Sequence, residues 1–481
     1  SSTGELLATI IAIGKDDHII ITPDNYYFGT KNSLKGIGFK YEKQFISPEQ
    51  YDLRFNRPDI VLARIGFASA NVIKSYQRAY QKRLQKMNFT EQMLGEEIHL
   101  PSIRITTPDI PLNTARKSVG FDITAEDSKF FLDRINVFVN NIPIYGHQGI
   151  DVSKQRKQEI TQRIETELSA GKNKIQVSCL NEKGVESLPE TFEIELTGDR
   201  KKPNLRLAVI SVSTYANPAM NLKYAAKDGR DVVKLFSKKS EYYDHIIIDT
   251  LLNQNATREK IYDLKKKFAG SDVDDDVIVF VSGHGLLDDN LDFYFATHDI
   301  DFSNPAARGL KYDDLENLLD GIPARKKLLM MDACHSGEVD KSQLQVSHDQ
   351  ALALSNGQKG TVKTYTYKTE AADEQYQVGI KTSFELMQEL FANVSKGSGS
   401  VVISAAAGNS YALESDQWHN GVFTYALLSG LKNGTADQNH DGQITVTELK
   451  DFVSSEVERL TEGRQKPTSR RENLEFDFVI W

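Results

Sequence analysis

The sequence predicts an α/β protein in which a three-layer α/β/α domain follows a β-sandwich. Residues 100–198 alternate apolar and polar side chains with a period of two, which is typical of half-buried strands. From residue 204 onward, short apolar runs alternate with amphipathic segments, the order that gives a mostly parallel sheet covered by helices. A polar stretch that ends in Pro203 separates the two patterns and predicts a domain boundary.

Composition bounds the class of protein and excludes several functions. At 481 residues the chain is too long for one hydrophobic core. A formal net charge of −9 argues against a dedicated nucleic-acid binder, because phosphate binding needs a basic surface. No apolar run approaches the length of about 20 residues that a membrane span requires. Cys179 and Cys334 are the only cysteines, which excludes a disulfide framework and fits a reducing compartment, so we expect a cytoplasmic protein.

Three segments precede the boundary. Residues 1–50 hold short strand-like runs and are predicted to be a β segment, which either packs on later elements or is the remnant of a β domain further upstream. Residues 51–99 are predicted to be a helical linker, because residues 69–87 have apolar side chains at helical spacing. In the sandwich of residues 100–198, Cys179 shares its side of a strand with Ile175 and Val177, so we expect a buried structural thiol.

Beyond the boundary, strands and helices alternate. The predicted elements, in order, are a strand over 205–212, a helix over 222–236, a strand over 245–252, a helix from Thr257 to 268, a strand ending at His284, a helix over 312–319, a strand ending at Cys334, regular structure of unassigned type over 384–391 and a strand over 400–405. Residues 341–382 are polar without periodicity, which is typical of a long mobile loop.

The most informative positions are two strand ends that lie 50 residues apart in the chain. His284 follows the apolar run of residues 277–281, and Cys334 follows residues 328–331. A crossover of this length joins two parallel strands, so both side chains would emerge at the same carboxyl edge of the sheet. A thiol beside an imidazole predicts a cysteine nucleophile with a histidine base, and the N–H groups of Gly285 and Cys334 could form an oxyanion hole.

Two other interpretations stay open at this point. Cys334 could be a small core residue and His284 a hydrogen-bonded loop residue, although their matching positions at two strand ends disfavour this. Zinc could be held by Cys334, His335, His284 and His298, but one cysteine without paired-ligand spacing is a poor match to known zinc sites.

Residues 282–285 (Ser-Gly-His-Gly) and 332–337 (Asp-Ala-Cys-His-Ser-Gly) resemble the caspase-like cysteine peptidases, and among them the metacaspases and bacterial orthocaspases. The resemblance extends from about residue 206 to the C-terminus. It implies a caspase-like domain over 204–481, with a large-subunit part at 204–340, a linker at 341–382 and a small-subunit part at 383–481. It also implies that Cys334 is the nucleophile and His284 the general base and acid.

The same resemblance implies a substrate pocket formed by Asp228, Ser282 and Asp332. In metacaspases this pocket is acidic and takes Arg or Lys. Two carboxylates at a pocket floor would favour a guanidinium or ammonium group, and we expect them to be held charged only when that cation arrives. Asp228 alternatively serves only as a first-turn helix carboxylate near the positive end of the helix dipole.

Residues 437–448 match the twelve-residue EF-hand loop, followed by a predicted helix over 449–460. The candidate ligands are Asp437, Asn439, Asp441, Gln443 and Glu448. Calcium is one occupant of this loop, and a structural loop held by internal hydrogen bonds is the other interpretation. Metacaspases often bind calcium through a different acidic cluster, and the aspartates of residues 288–301 lack its Glu-x-Asp-Gly arrangement. The cleavage chemistry itself is expected to need no cofactor.

The remaining features concern regulation. Lys359, Lys363, Lys368 and Lys381 lie in the linker, where an Arg/Lys-specific enzyme could cut itself. The front half resembles bacterial proteins that place WD repeats and an immunoglobulin-like module before a caspase-like domain, so it would sense or recruit. Two functions follow: an endopeptidase that acts on proteins or peptides with Arg or Lys at the cleavage site, or a signalling scaffold whose peptidase is latent until a protein partner triggers it.

Overall fold

The chain is described here by a computed structural model. It describes residues 4–481 with the exception of 14–16, 31–32, 42–43, 67, 96, 98, 199–200, 239–240, 289–291, 334–359, 363–397, 406–412, 466 and 472–476. Two compact units are present, one formed by residues up to Arg200 and the other within Lys201–Trp481.

The first unit contains a small sheet, a hairpin, a helical segment and a sandwich. Its strands are β1 (Thr9–Ile13), β2 (Asp17–Ile21), β3 (Tyr27–Gly29), β4 (Phe39–Tyr41), β5 (Gln44–Ile46), β6 (Ser102–Ile105), β7 (Asn113–Thr114), β8 (Ser118–Glu126), β9 (Leu132–Val139), β10 (Ile142–Pro143), β11 (Ile150–Asp151), β12 (Glu159–Glu167), β13 (Gly171–Asn181) and β14 (Glu190–Leu196). Its helices are α1 (Asp52–Phe55), α2 (Pro58–Ile65), α3 (Ala70–Lys86) and α4 (Glu91–Leu94).

Two antiparallel-rich sheets form the sandwich. One has the strand order β10-β9-β13-β14-β7 and the other β12-β8-β6. Alternate residues of both sheets point inward and share one core, including Phe121, Val137, Ile164 and Val177. Cys179 belongs to this core and is fully buried, which confirms the prediction of a buried thiol.

The helical segment of this unit is fastened to the sandwich by hydrogen bonds. The Arg134 side chain donates to the carbonyl of Met87 at 2.6 Å, just beyond the end of α3. Gly184 lies in a turn after β13 with a φ of +69°, and a Cβ there would lie 2.9 Å from Leu94 of α4. A side chain at this position would therefore strain the backbone and force the Leu94 side chain to move.

The second unit contains the alternating strands and helices. Its elements are β15 (Leu205–Ser211), α5 (Ala225–Phe236), β16 (Ile246–Leu252), α6 (Arg258–Phe268), β17 (Asp276–Gly283), β18 (Gly285–Leu287), β19 (Phe293–Phe295), α7 (Pro305–Arg308), β20 (Leu310–Lys311), α8 (Tyr312–Asn317), β21 (Lys326–Ala333), β22 (Gly360–Val362), β23 (Val401–Ser404), β24 (Leu413–Ser415), β25 (Asn420–Gly421), α9 (Val422–Lys432), α10 (Val446–Leu460) and β26 (Thr468–Arg471).

The central sheet has the order β16-β15-β17-β21-β23-β26, parallel except for the edge strand β26. β17 and β21 are buried along their whole described length, apart from the half-buried Lys326, which explains their nearly unbroken apolar sequence. Helices α5, α9 and α10 cover one face of the sheet through a shared core, and α6 contacts β15. The predicted α/β fold is confirmed: a β-rich N-terminal region is followed along the chain by a domain with a mostly parallel sheet.

Two helices begin elsewhere than the sequence predicts. α5 begins at Ala225, not at residue 222, and the backbone N–H groups of Lys223 and Tyr224 just before it donate to the carboxylate of Glu414. α10 begins at Val446, not at residue 449, because Thr445 and Glu448 form a reciprocal capping box. In the part of the chain that the structure describes, no helix is long and apolar enough to cross a membrane.

Candidate active site

The carboxyl ends of β17 and β21 lie side by side in the middle of the sheet. Their register pairs Ser282 with Asp332 and Gly283 with Ala333. His284 is the next residue after one strand, and Cys334 is the next residue after the other. Cys334 lies outside the described residues. Gly283 and Ala333 are therefore paired neighbours in the sheet, and each is followed directly in the sequence by one of the two predicted catalytic residues.

His284 is buried and held from its backbone and its ring. Its Nε2 lies 2.9 Å from the carbonyl oxygen of Met220, and its backbone N–H donates to the Tyr215 hydroxyl at 3.0 Å. The rings of Tyr215 and Phe302 pack against the imidazole, with centroids 5.2 and 5.8 Å away. A carbonyl can only accept, so Nε2 carries the proton in the neutral imidazole. Nδ1 is then the nitrogen with basic character.

Close packing favours a glycine before the histidine. A Cβ on Gly283 would lie 3.0 Å from both the Tyr215 hydroxyl and the Phe295 ring. Any side chain here would push against the groups that hold His284. Gly285, on the other side of the histidine, begins β18 and pairs with Phe295 of β19. Its predicted role as an oxyanion donor stays a prediction.

Asp228 lies fully buried in the first turn of α5, and its carboxylate is bound by three donors from elsewhere in the fold. Oδ2 accepts from the Ser282 hydroxyl at 3.1 Å. Oδ1 accepts from the Asn420 side chain at 2.9 Å and from the backbone N–H of Gly421 at 3.1 Å. The structure thus brings the predicted residues Asp228 and Ser282 into direct contact. Asp228 does lie in the first turn of α5, as the alternative interpretation requires. The three donors named here, however, come from residues outside that helix.

Asp332 is also fully buried and contacts the beginning of α9. Its Oδ2 accepts from the hydroxyl of Thr424 at 2.5 Å and from the same residue's backbone N–H at 3.3 Å. Gly421 immediately precedes α9 and Thr424 lies in its first turn, so one helix N-terminus donates to both acids. The expectation that an arriving cation would hold both carboxylates charged stays a prediction.

Comparison with protein families decides the identity of the second unit. A family model of the caspase domain (peptidase family C14) matches residues 206–479, more than half of the chain. The chain belongs to the caspase-like cysteine peptidases. The family supports a cysteine-type peptidase that acts on proteins.

Solved structures add only weak likenesses to this caspase-like chain. Protein GSU0716 from Geobacter sulfurreducens is 19% identical, with a TM-score of 0.35 over 56% of this chain and 92% of that one. The fibronectin(III)-like modules of Clostridium thermocellum CbhA are 21% identical, with a TM-score of 0.17 over 21% of this chain and 48% of that one. TM-scores below 0.5 support no conclusion about fold or function. No curated protein matches the chain.

Metal sites can be judged only for the part of the caspase-like chain that the structure describes. There, no group of three or more His, Cys, Asp or Glu side chains is arranged to hold a metal ion. The alternative zinc site cannot be assembled from described residues, because Cys334 and His335 lie outside them. In the EF-hand-like loop, Asp437 accepts from the N–H of Gly442 at 2.9 Å. Both oxygens of Glu448 likewise accept from backbone N–H groups of the loop.

Four contributors to the site of this caspase-like domain were missed from the sequence. They are Tyr215, the carbonyl of Met220, Asn420 and Thr424. The only local signal was the Asn-Gly pair at 420–421 before an apolar helical segment, a typical turn before a helix. Nothing in that signal predicts contact with an aspartate 192 residues earlier in the chain.

The two cysteines are expected to differ sharply in reactivity. Burial raises the pKa of Cys179 to about 12, so at pH 8 its thiolate is only on the order of 0.01% of the population. We expect iodoacetamide at pH 8 to alkylate the native protein once, at Cys334, as measured by intact mass and peptide mapping. Alkylation of Cys179 before unfolding would contradict the buried position of this thiol.

Tyr215 is expected to position His284, the candidate catalytic base. Its hydroxyl accepts from the His284 N–H and donates to the Val212 carbonyl at 3.2 Å, so Tyr215→Phe leaves two backbone groups without this partner. We expect kcat to fall about tenfold with KM nearly unchanged, measured on a fluorogenic peptide. Tyr262→Phe is the matched control, since its hydroxyl bonds to Asp314 on an exposed surface. Equal activity in both variants would show that the Tyr215 hydroxyl does not position His284.

Proposed function

We propose that the caspase-like domain is an endopeptidase that cleaves after Arg or Lys, with Cys334 as nucleophile and His284 as base. The observation that supports this best is the placement of two buried carboxylates beside the two strand ends. Asp332 lies two residues before Cys334, and Asp228 is bonded to Ser282, two residues before His284. A cationic side chain would complete this acidic pocket, whereas an aspartate side chain would be repelled by it.

In the proposed reaction the thiol proton passes from Cys334 to Nδ1 of His284. The thiolate attacks the backbone carbonyl carbon of the substrate's Arg or Lys residue, and the N–H groups of Gly285 and Cys334 stabilise the oxyanion. Collapse of the tetrahedral intermediate breaks the C–N bond, and His284 gives its proton to the leaving amine. Water then hydrolyses the thioester after losing a proton to the same nitrogen, which restores the thiol.

The function is tested with fluorogenic peptides that differ only in the residue before the scissile bond. We expect turnover with Arg and Lys and none with Asp, with and without calcium. Cleavage of the Asp peptide alone would contradict the acidic pocket. Absence of turnover under every condition would favour the second function, a signalling scaffold whose peptidase is latent until a protein partner acts.

We propose a cytoplasmic location for this enzyme, because a cysteine nucleophile stays reduced in the cytoplasm.

We also propose that the domain cuts its own linker. The described part of the linker, β22, pairs antiparallel with β24, with Thr361 opposite Glu414. The Glu414 carboxylate in turn accepts from backbone N–H groups just before α5, the helix that presents Asp228. This pairing supports a linker held close to the pocket, and Lys359 and Lys363 flank β22 in the sequence.

Self-cleavage is measured by incubating the wild type beside Cys334→Ala and sequencing the new N-termini. We expect fragments beginning after Lys359 or Lys363 in the wild type alone. A double Lys359→Ala, Lys363→Ala variant should stay intact longer than one with Lys368 and Lys381 replaced. Equally intact wild type and Cys334→Ala would remove this proposal.

For the EF-hand-like loop we propose a structural calcium ion that the cleavage chemistry does not need. Asp437, Asn439, Asp441, Gln443 and Glu448 provide oxygen ligands at the required spacing. Because Glu448 accepts from N–H groups of Gln438, Asn439 and Thr445, calcium would compete with these bonds and bind weakly. We expect calcium to raise the melting temperature of the wild type and not of Glu448→Gln. A chelator that abolished cleavage would contradict the structural role.

A further inference from the structure

The amide of Asn420 joins three charged side chains at the edge of the candidate pocket. Its Nδ2 lies 2.9 Å from Asp228 Oδ1 and 3.0 Å from Asp231 Oδ2. Its Oδ1 lies 3.4 Å from the ammonium group of Lys227. The two acceptors on one side and the donor on the other fit only one orientation of the amide.

The network runs from the protein surface to the buried acid. Lys227 and Asp231 are partly exposed and form an ion pair one helical turn apart on α5. Asn420 is buried on β25. It connects this ion pair to Asp228, which is fully buried on α5. Two carboxylates on one helix face would repel each other, and the shared amide donor offsets that repulsion.

The backbone fixes the position of the amide. Gly421, the next residue, donates its N–H to the same oxygen of Asp228 at 3.1 Å and then begins the approach to α9. Asn420 pairs with Ser415 in the β24–β25 hairpin, whose Glu414 binds the residues before α5. Backbone pairing of the hairpin and the Gly421 hydrogen bond therefore hold the amide beside Asp228.

We propose that Asn420 is a positioning residue for substrate specificity: it fixes the Asp228 carboxylate in the orientation that receives the Arg or Lys side chain. This inference rests on the proposed function. The Asn420 amide does not touch the reacting atoms, so its loss should affect recognition of the cation and leave the thiol chemistry intact.

The test compares Asn420→Ala and Asn420→Asp with the wild type on Arg and Lys peptides. A hydrogen bond to a charged group contributes roughly 1.5–3 kcal/mol, so Asn420→Ala should raise KM about ten- to a hundredfold with kcat little changed. Asn420→Asp keeps the shape, removes the donor and adds a third carboxylate, and should raise KM further. The rate of iodoacetamide alkylation at Cys334 should stay within about twofold of the wild type, because this reagent has no side chain to place in the pocket.

The matched control is Asn433→Ala, which removes an exposed amide just beyond the other end of α9 and should leave all these values unchanged. Melting temperatures show whether each variant is folded, and Asn420→Ser, which keeps a donor, should recover part of the affinity. An unchanged KM in Asn420→Asp would overturn the inference. So would a fall in the alkylation rate by the same factor as the rise in KM. A wild type that cleaves neither peptide would instead refute the proposed function itself.

Discussion

Replacing Cys334 by alanine is expected to abolish peptide cleavage, with a loss of about 10⁴-fold or more in kcat because no nucleophile remains. The matched control is Cys179→Ala, the same substitution at the other cysteine. Cys179 is buried in the sandwich of the first unit, so its loss should reduce stability slightly and leave the rate unchanged. Both variants are measured on an Arg peptide alongside thermal unfolding.

Two results would contradict this assignment. Residual activity of Cys334→Ala near the wild-type level would show that another residue attacks the substrate. Loss of activity in a folded Cys179→Ala would show that the buried thiol matters to catalysis, which its position in the sandwich core gives no reason to expect.

Replacing Asp332 by asparagine is expected to lower kcat/KM on Arg peptides by a factor of about 10² to 4 × 10³, because breaking a buried ion pair costs roughly 3–5 kcal/mol. The substrate cation would lose a buried carboxylate, and the asparagine amide would place donors where Thr424 already donates. The variant should also discriminate less strongly between Arg and neutral residues at the cleavage site.

Asp276→Asn provides the control for Asp332. Asp276 is an equally buried carboxylate at the opposite end of β17, where it accepts from the Tyr243 hydroxyl at 2.8 Å. We expect this variant to lose stability and to keep the wild-type selectivity. If Asp332→Asn retained the preference for Arg over neutral residues, the acidic pocket would not be the source of specificity.

The strand pattern predicted the position of the candidate site because it depends only on the burial of residues that are neighbours in the sequence. Apolar runs that end in small and reactive residues fixed the ends of β17 and β21, and the crossover length implied that these strands run parallel. The register then places Ser282 opposite Asp332, as two strands ending at the same edge require. The fold class was predictable for the same reason.

Contacts between distant segments could not be predicted. Asn420 and Thr424 reach Asp228 and Asp332 because the β24–β25 hairpin and α9 return to the sheet after about 190 and 90 residues. Met220 and Tyr215 lie in a segment without periodicity, and a backbone carbonyl has no sequence signature at all. The contact of Glu414 with the N–H groups just before α5 likewise joins segments about 190 residues apart.

The central claim, that Cys334 attacks substrates with a cationic side chain, is tested most directly by covalent labelling. The protein is incubated with two peptidyl acyloxymethyl ketones that differ only in Arg or Asp before the reactive group, and the adduct is located by peptide mapping. We predict one adduct per chain, on Cys334, with the Arg reagent and none with the Asp reagent. An adduct with the Asp reagent alone, or an Arg adduct on Cys179, would contradict the claim.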